Sequence, residues 1–206
     1  MRSFFKKILG IKDSEQSSEE KEDKTPSEII SPKEIQNVPL DEKFAINFTE
    51  TGGKFIYCIN QTEVQEAINN IISENNWEEI LTFGSANNDL LKNSGLSFSE
   101  KSGANSAFFT SCEALIANDG SILISSNQLK GRKLPNLPYD FIITAKIENI
   151  IENRSDGLGS LILRYGKDIP SGITTIKGPK TVTGTNNILD SGSINTSKNI
   201  YLLLVE

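Results

Sequence analysis

The chain contains no histidine, and that absence excludes more than any motif in it. Without an imidazole there is no Ser-His-Asp or Cys-His nucleophile system and no His-ligated metal centre. Any acid–base or covalent chemistry falls to Asp, Glu, Lys, Tyr or Cys. Cysteine is nearly as scarce: Cys58 and Cys112 are the only two, and neither belongs to a Cys-x-x-Cys pair. A disulfide framework, a thiolate zinc site and an iron–sulfur cluster are therefore not expected, and no cofactor or metal is assigned. No apolar run approaches the ~18 residues of a membrane-spanning helix. Positive charge is in deficit, with 21 Lys and Arg against 27 Asp and Glu, a net charge of −6. Nucleic-acid binding draws on clustered Lys and Arg facing phosphate, so this balance argues against such a partner.

What is present begins with a basic amphipathic stretch at residues 1–11. Phe4, Phe5, Ile8 and Leu9 share one helical face, with Arg2, Lys6 and Lys7 elsewhere. This suits weak contact with a membrane surface or a partner, or simply a terminus lying on the domain. Two lysines interrupt its apolar part and no small-residue cleavage site follows, which disfavours a secretory signal and points to the cytoplasm. The Asn-x-Ser/Thr sequons at Asn47, Asn60, Asn153 and Asn195 then read as accidents of an Asn-rich composition. Residues 12–39 are rich in Ser, Glu, Lys and Pro and cannot bury enough apolar area to offset their ordering entropy. They are expected to form a disordered linker, leaving 40–206 as one domain.

Within that domain strands and helices alternate. Lys54–Ile59, Glu79–Phe83, Tyr139–Thr144, Ile173–Lys177 and Ile200–Val205 read as strands. Ala114–Ala117 and Ile122–Ile124 flank a polar turn and read as a hairpin, and the apolar runs of Ala114–Ala117 and Ile173–Lys177 are expected to be central strands of the sheet. Val64, Ala67, Ile68, Ile71 and Ile72 recur at helical spacing after the capping pattern Thr62-x-x-Gln65. A helix is expected around Asp89–Asn93, and another face runs from Ile147 through Ile150, Ile151, Leu158, Leu161 and Ile162 to Tyr165. This alternation predicts an α/β fold with a largely parallel, open sheet covered on both faces.

Ligands of open α/β sheets bind beyond the carboxyl ends of the strands. Three segments are expected there. Gly84-Ser85 follows a strand and opens a helix, where free amides hold anions; the plainer reading is an ordinary strand-to-helix turn. Asn118-Asp119-Gly120-Ser121 joins the hairpin strands; Asp119 offers a carboxylate and Ser121 a hydroxyl, although alone the segment is a hairpin turn. Gly178-Pro179-Lys180 follows a strand and offers a cation, or merely a solvated lysine. Arg132 and Lys133 form a loop pair whose ordinary fate is exposure. Gly157-Leu-Gly159 lacks the third glycine of a dinucleotide fingerprint and sits in a helical pattern, so it is discarded.

Four of these segments together resemble the LUD-domain family of lactate-utilization proteins. Ala114–Ile124 is similar to the family's Ile-Ala-x-x-Gly-Ser/Thr segment with its apolar run. Thr51-Gly-Gly-Lys-Phe55 resembles its early strand entry, Ile176-Lys-Gly-Pro-Lys180 its Ile-Ser-Gly-Pro-Ser segment, and Ile200–Glu206 its terminal strand. The resemblance implies a three-layer sheet of the NagB/RpiA/CoA-transferase type. It also implies an accessory role in oxidising lactate to pyruvate beside iron–sulfur oxidoreductase subunits, with a small anionic metabolite as ligand. Two departures stand out. Thr181–Asn186 lacks the family's acidic positions, and Asp190–Ile194 lacks its histidine. These losses favour a non-catalytic or accessory protein. The alternatives are an enzyme of CoA-transferase or sugar-phosphate isomerase type using Asp119 and Lys180, or a scaffold.

Overall fold

A computed structural model describes residues 38–83, 91, 97–99, 106–179 and 198–206. Its centre is a six-stranded sheet built from β1 (Lys54–Cys58), β2 (Glu79–Thr82), β3 (Ser97–Ser99), β4 (Ser106–Ser111), β7 (Asp140–Lys146) and β10 (Asn199–Val205). The order across it is β1-β10-β7-β4-β2-β3, and every neighbouring pair is parallel. The run Ile200–Val205 is almost wholly apolar because β10 lies between β1 and β7 and is covered on both faces. Successive side chains point to opposite sides, so Ile200, Leu202 and Leu204 enter one core while Tyr201 and Leu203 enter another.

On the Tyr201 side lies α2 (Gln61–Asn75), which buries Val64, Ile68, Ile71 and Ile72 against Ile142, Phe109 and Leu203. Its N-cap is Asn60, two residues earlier than the Thr62 pattern suggests. The Asn60 side chain accepts from Glu63 N at 3.0 Å, and Glu63 Oε2 accepts from Ile59 N at 2.8 Å. The reciprocal pair satisfies two backbone donors that the first turn leaves open. Asn76, with φ 53°, ends the helix in the left-handed region.

The opposite face carries α1 (Leu40–Glu50) and a second sheet. Phe44, Ala45 and Phe48 of α1 are fully buried, and the Phe44 and Phe48 rings stack at 5.5 Å. The second sheet joins β5 (Ala114–Ile116), β6 (Ser121–Ile124), β8 (Ile150–Ile151) and β9 (Thr174–Ile176) in the order β8-β5-β6-β9. Leu115, Ile122, Ile124 and Ile176 face the main sheet, while Ala114 and Leu123 face α4 (Arg154–Tyr165) and its Leu161. The fold is a three-layer α/β arrangement around a parallel sheet, with α4 as an outer cover.

Two expectations need correction. Ala114–Ala117 and Ile173–Lys177 are not central strands of the parallel sheet; they belong to the second sheet, with β9 at its edge. The helical face expected to begin at Ile147 is broken. Ile147–Asn149 form a 3₁₀ turn, and Ile150 and Ile151 pair in parallel with Leu115 and Ile116. Only at Asn153, whose side chain accepts from Asp156 N at 3.0 Å, does α4 begin. Of the helix expected around Asp89–Asn93, Leu91 alone is described, and it is helical.

Candidate functional site

The turn between β5 and β6 is fastened to α1. Asn47 Nδ2 donates to Ala117 O at 2.6 Å, and Lys43 Nζ donates to Asn118 Oδ1 at 2.6 Å. Asp119 Oδ1 accepts from Ser121 N at 3.0 Å and from Ser121 Oγ at 2.6 Å, and Lys177 Nζ lies 2.9 Å from Asp119 Oδ2. The Asp119 carboxylate therefore already has three donors. Gly120 has φ +64°, and a Cβ there would lie 2.4 Å from Phe48 N. Glycine is required on both counts.

Gly178 completes the same neighbourhood. Its N–H donates to Thr51 Oγ1 at 3.2 Å, and a Cβ on it would lie 2.5 Å from Gly53 N and Thr51 O. Asn118, Asp119, Gly120, Ser121 and Gly178 thus gather beside α1 and the entry to β1, with Lys177 supplying the cation. That is the amino end of the parallel sheet, opposite the expected carboxyl end, because Gly53 immediately precedes β1. Pro179 is exposed. Gly84, Ser85 and Lys180 lie outside the described residues. Arg132 is not simply solvated: its guanidinium sits over the Phe83 ring, 4.8 Å from the centroid.

At the carboxyl ends of β4, β7 and β10 there is an open cleft of about 460 Å³. Ser111 ends β4 there with Cys112 directly after it, and Thr144 and Lys146 lie at the end of β7. Gln61 opens α2 above it, and Arg164 reaches in from α4. None of these stands out as a binding residue in the sequence. Behind them stands Glu113, 1% exposed. A buried carboxylate survives only if donors surround it. Glu113 Oε1 accepts from Ser125 Oγ at 2.7 Å and Gln128 Nε2 at 3.1 Å, and Oε2 accepts from Arg164 Nη1 at 3.3 Å and Tyr165 OH at 3.1 Å. In the sequence its only mark is an acid directly ahead of the apolar strand Ala114–Ile116.

This network brings together α3 (Ser126–Leu129), capped by Ser125, and the far end of α4. Arg164 keeps a side chain that is 45% exposed. It is an oriented cation, held from behind and open to the cleft in front.

Both cysteines are buried. Desolvation, then the charge of neighbouring Glu113, pushes the Cys112 thiol from 9.0 up to about 12; desolvation and Glu63 raise Cys58 to about 11. A thiol that ionises so late is a poor nucleophile at neutral pH. Bulky thiol reagents are therefore expected to label neither residue in the folded chain at pH 8 and both after unfolding, as mass spectrometry would show; rapid native labelling would contradict it. Unfolded thiols ionise near 9 while the folded ones resist, so their contribution holds below pH 9 and is lost as pH rises towards about 12.

The LUD domain family model matches residues 42–205, and the chain belongs to that family. No curated protein sequence matches it. Among solved structures, it is similar to a DUF162 family protein from Deinococcus radiodurans, with TM-score 0.59 and 17% identity over 81% of this chain and 96% of the other. At that identity the likeness concerns the fold. Among the described residues no helix is long and apolar enough to cross a membrane.

Proposed function

We propose that the cleft at the carboxyl ends of β4, β7 and β10 binds a small carboxylate of the 2-hydroxy or 2-oxo acid class, lactate or pyruvate. The chain would thereby serve lactate oxidation as an accessory subunit. The observation that carries this reading is Arg164. Glu113 orients it through one of the five guanidinium donors, and the others remain for a carboxylate at the cleft. Lys146, paired with Glu148 at 3.4 Å, also lines the cleft, and the hydroxyls of Ser111 and Thr144 suit a 2-hydroxyl or 2-oxo group. Oxidising a hydroxy acid releases two electrons. The likeness to the lactate-utilization family implies that iron–sulfur partner subunits take those electrons. The enzyme reading built on Asp119 is less well supported, because its carboxylate is already engaged by Ser121 and Lys177.

Thermal unfolding of the full chain with lactate, pyruvate, a CoA ester or a sugar phosphate tests this. A true ligand at a hundredfold its Kd adds about 2.7 kcal/mol of apparent stability. Lactate or pyruvate is expected to raise Tm, and Thr144→Val with Lys146→Ala to abolish the shift. Asp119→Ala should leave it in place, since the turn lies at the other end of the sheet. A shift from the CoA ester or sugar phosphate alone would favour the enzyme, and no shift from the two acids would sink the carboxylate reading.

A further inference from the structure

We propose, resting on the carboxylate reading above, that the cleft prefers the longer 2-hydroxy and 2-oxo acids, of five or six carbons, with the apolar tail against Val205. A cleft of about 460 Å³ is of the size that holds a drug-sized ligand, several times what a three-carbon acid fills. Lactate or pyruvate held by its carboxylate therefore leaves most of the space to water. What suits the remainder is set by the wall beyond the two hydroxyls.

That wall is apolar. Ser111 pairs with Thr144 in the register of β4 and β7, and Val205 pairs with Lys146, two residues further along β7. Side chains alternate, so these four share the face that Phe109, Ile142 and Leu203 present to α2. Val205 packs there against Val64 and Leu203. It keeps exposed surface while Val64 behind it is fully buried, which makes Val205 the apolar contact at that end of the cleft. Lys146 stands beside it, but its ammonium lies 3.4 Å from Glu148, and a lysine stem adds apolar surface. Arg164 is anchored at the other end, where Glu113 follows β4, so the carboxylate sits there with its 2-oxygen at Ser111 and Thr144. Strands about 4.8 Å apart, with a rise of about 3.3 Å per residue, put Val205 about 8 Å diagonally from Thr144. A carbon–carbon contact takes up about 4 Å of that distance. The rest, about 4 Å, is spanned by about three extended carbon–carbon bonds. The methyl of lactate lies one bond beyond C2 and stops short of Val205. The fifth carbon of a longer acid reaches it.

Calorimetric titration of the full chain with pyruvate, 2-oxobutanoate, 2-oxopentanoate and 4-methyl-2-oxopentanoate tests it. Each added carbon is expected to tighten binding about two- to fourfold, the upper figure being that of a fully buried methylene, so that the last acid binds at least about tenfold tighter than pyruvate. Val205→Thr keeps the β-branched shape and adds a hydroxyl to the wall. It should leave the circular dichroism and the pyruvate affinity unchanged and cut the advantage of 4-methyl-2-oxopentanoate to about threefold or less. The length series in the parent chain decides the preference even where the variant does not fold. Pyruvate binding as tightly as 4-methyl-2-oxopentanoate would overturn the length preference and leave the carboxylate reading standing. Binding of none of the four acids would overturn both. A length advantage that Val205→Thr leaves intact would overturn the placement of the tail.

Discussion

Gly120→Ala is expected to destabilise the domain by about 3 kcal/mol: roughly 1–2 from the left-handed backbone and 1–3 from overpacking. The added methyl would sit 2.4 Å from Phe48 N and 2.5 Å from Asn47 C, backbone atoms that cannot turn aside as a side-chain tip does. Relief requires α1 to lift from the β5–β6 turn, which breaks the Asn47–Ala117 and Lys43–Asn118 bonds and uncovers Phe44 and Phe48. Urea denaturation of the variant against the parent chain measures the loss. A cost below about 1 kcal/mol, within the range of ordinary surface substitutions, would show that α1 and the turn separate freely.

Glu113→Ala is expected to cost a similar amount, about 3 kcal/mol, at the low end of what removing one partner of a buried ion pair does. Arg164 is half-exposed and can return to water, which lowers the penalty; Ser125 and Tyr165 lose an acceptor within the fold. Glu113→Gln keeps acceptor capacity and should cost less, about 1–2 kcal/mol, while still loosening Arg164. Equilibrium unfolding ranks the two variants. Glutamine as costly as alanine would mean that the negative charge, not the acceptor geometry, holds the network. Alanine costing nothing would mean that the four partner side chains are independently anchored.

Much of the architecture was legible in the residues. Ile200–Val205 is apolar on both faces and had to be a buried parallel strand. Val64, Ile68, Ile71 and Ile72 at helical spacing had to form α2. Both signals are local periodicities, readable from one stretch of chain. The strand Ser106–Ser111 escaped notice because Ala107, Phe108 and Phe109 are a short apolar run between serines. Ile147, Ile150 and Ile151 were assigned to a helix because a helical period fits them, while the pairing of Ile150 and Ile151 with Leu115 and Ile116 is made across the fold.

The candidate site divides in the same way. The sequence by itself determined that Asn118–Gly120 turns tightly, that histidine chemistry is absent and that the family resemblance runs across the domain. Those are properties of residue type, order and spacing. Only the tertiary structure decided that this turn clips α1 at the amino end of the sheet, and that a cleft opens at the other end with Arg164 held by Glu113. The two residues stand 51 positions apart. No local pattern links them, because what joins them is the cost of leaving a buried carboxylate without donors, and which donors are near is known only once the chain has folded.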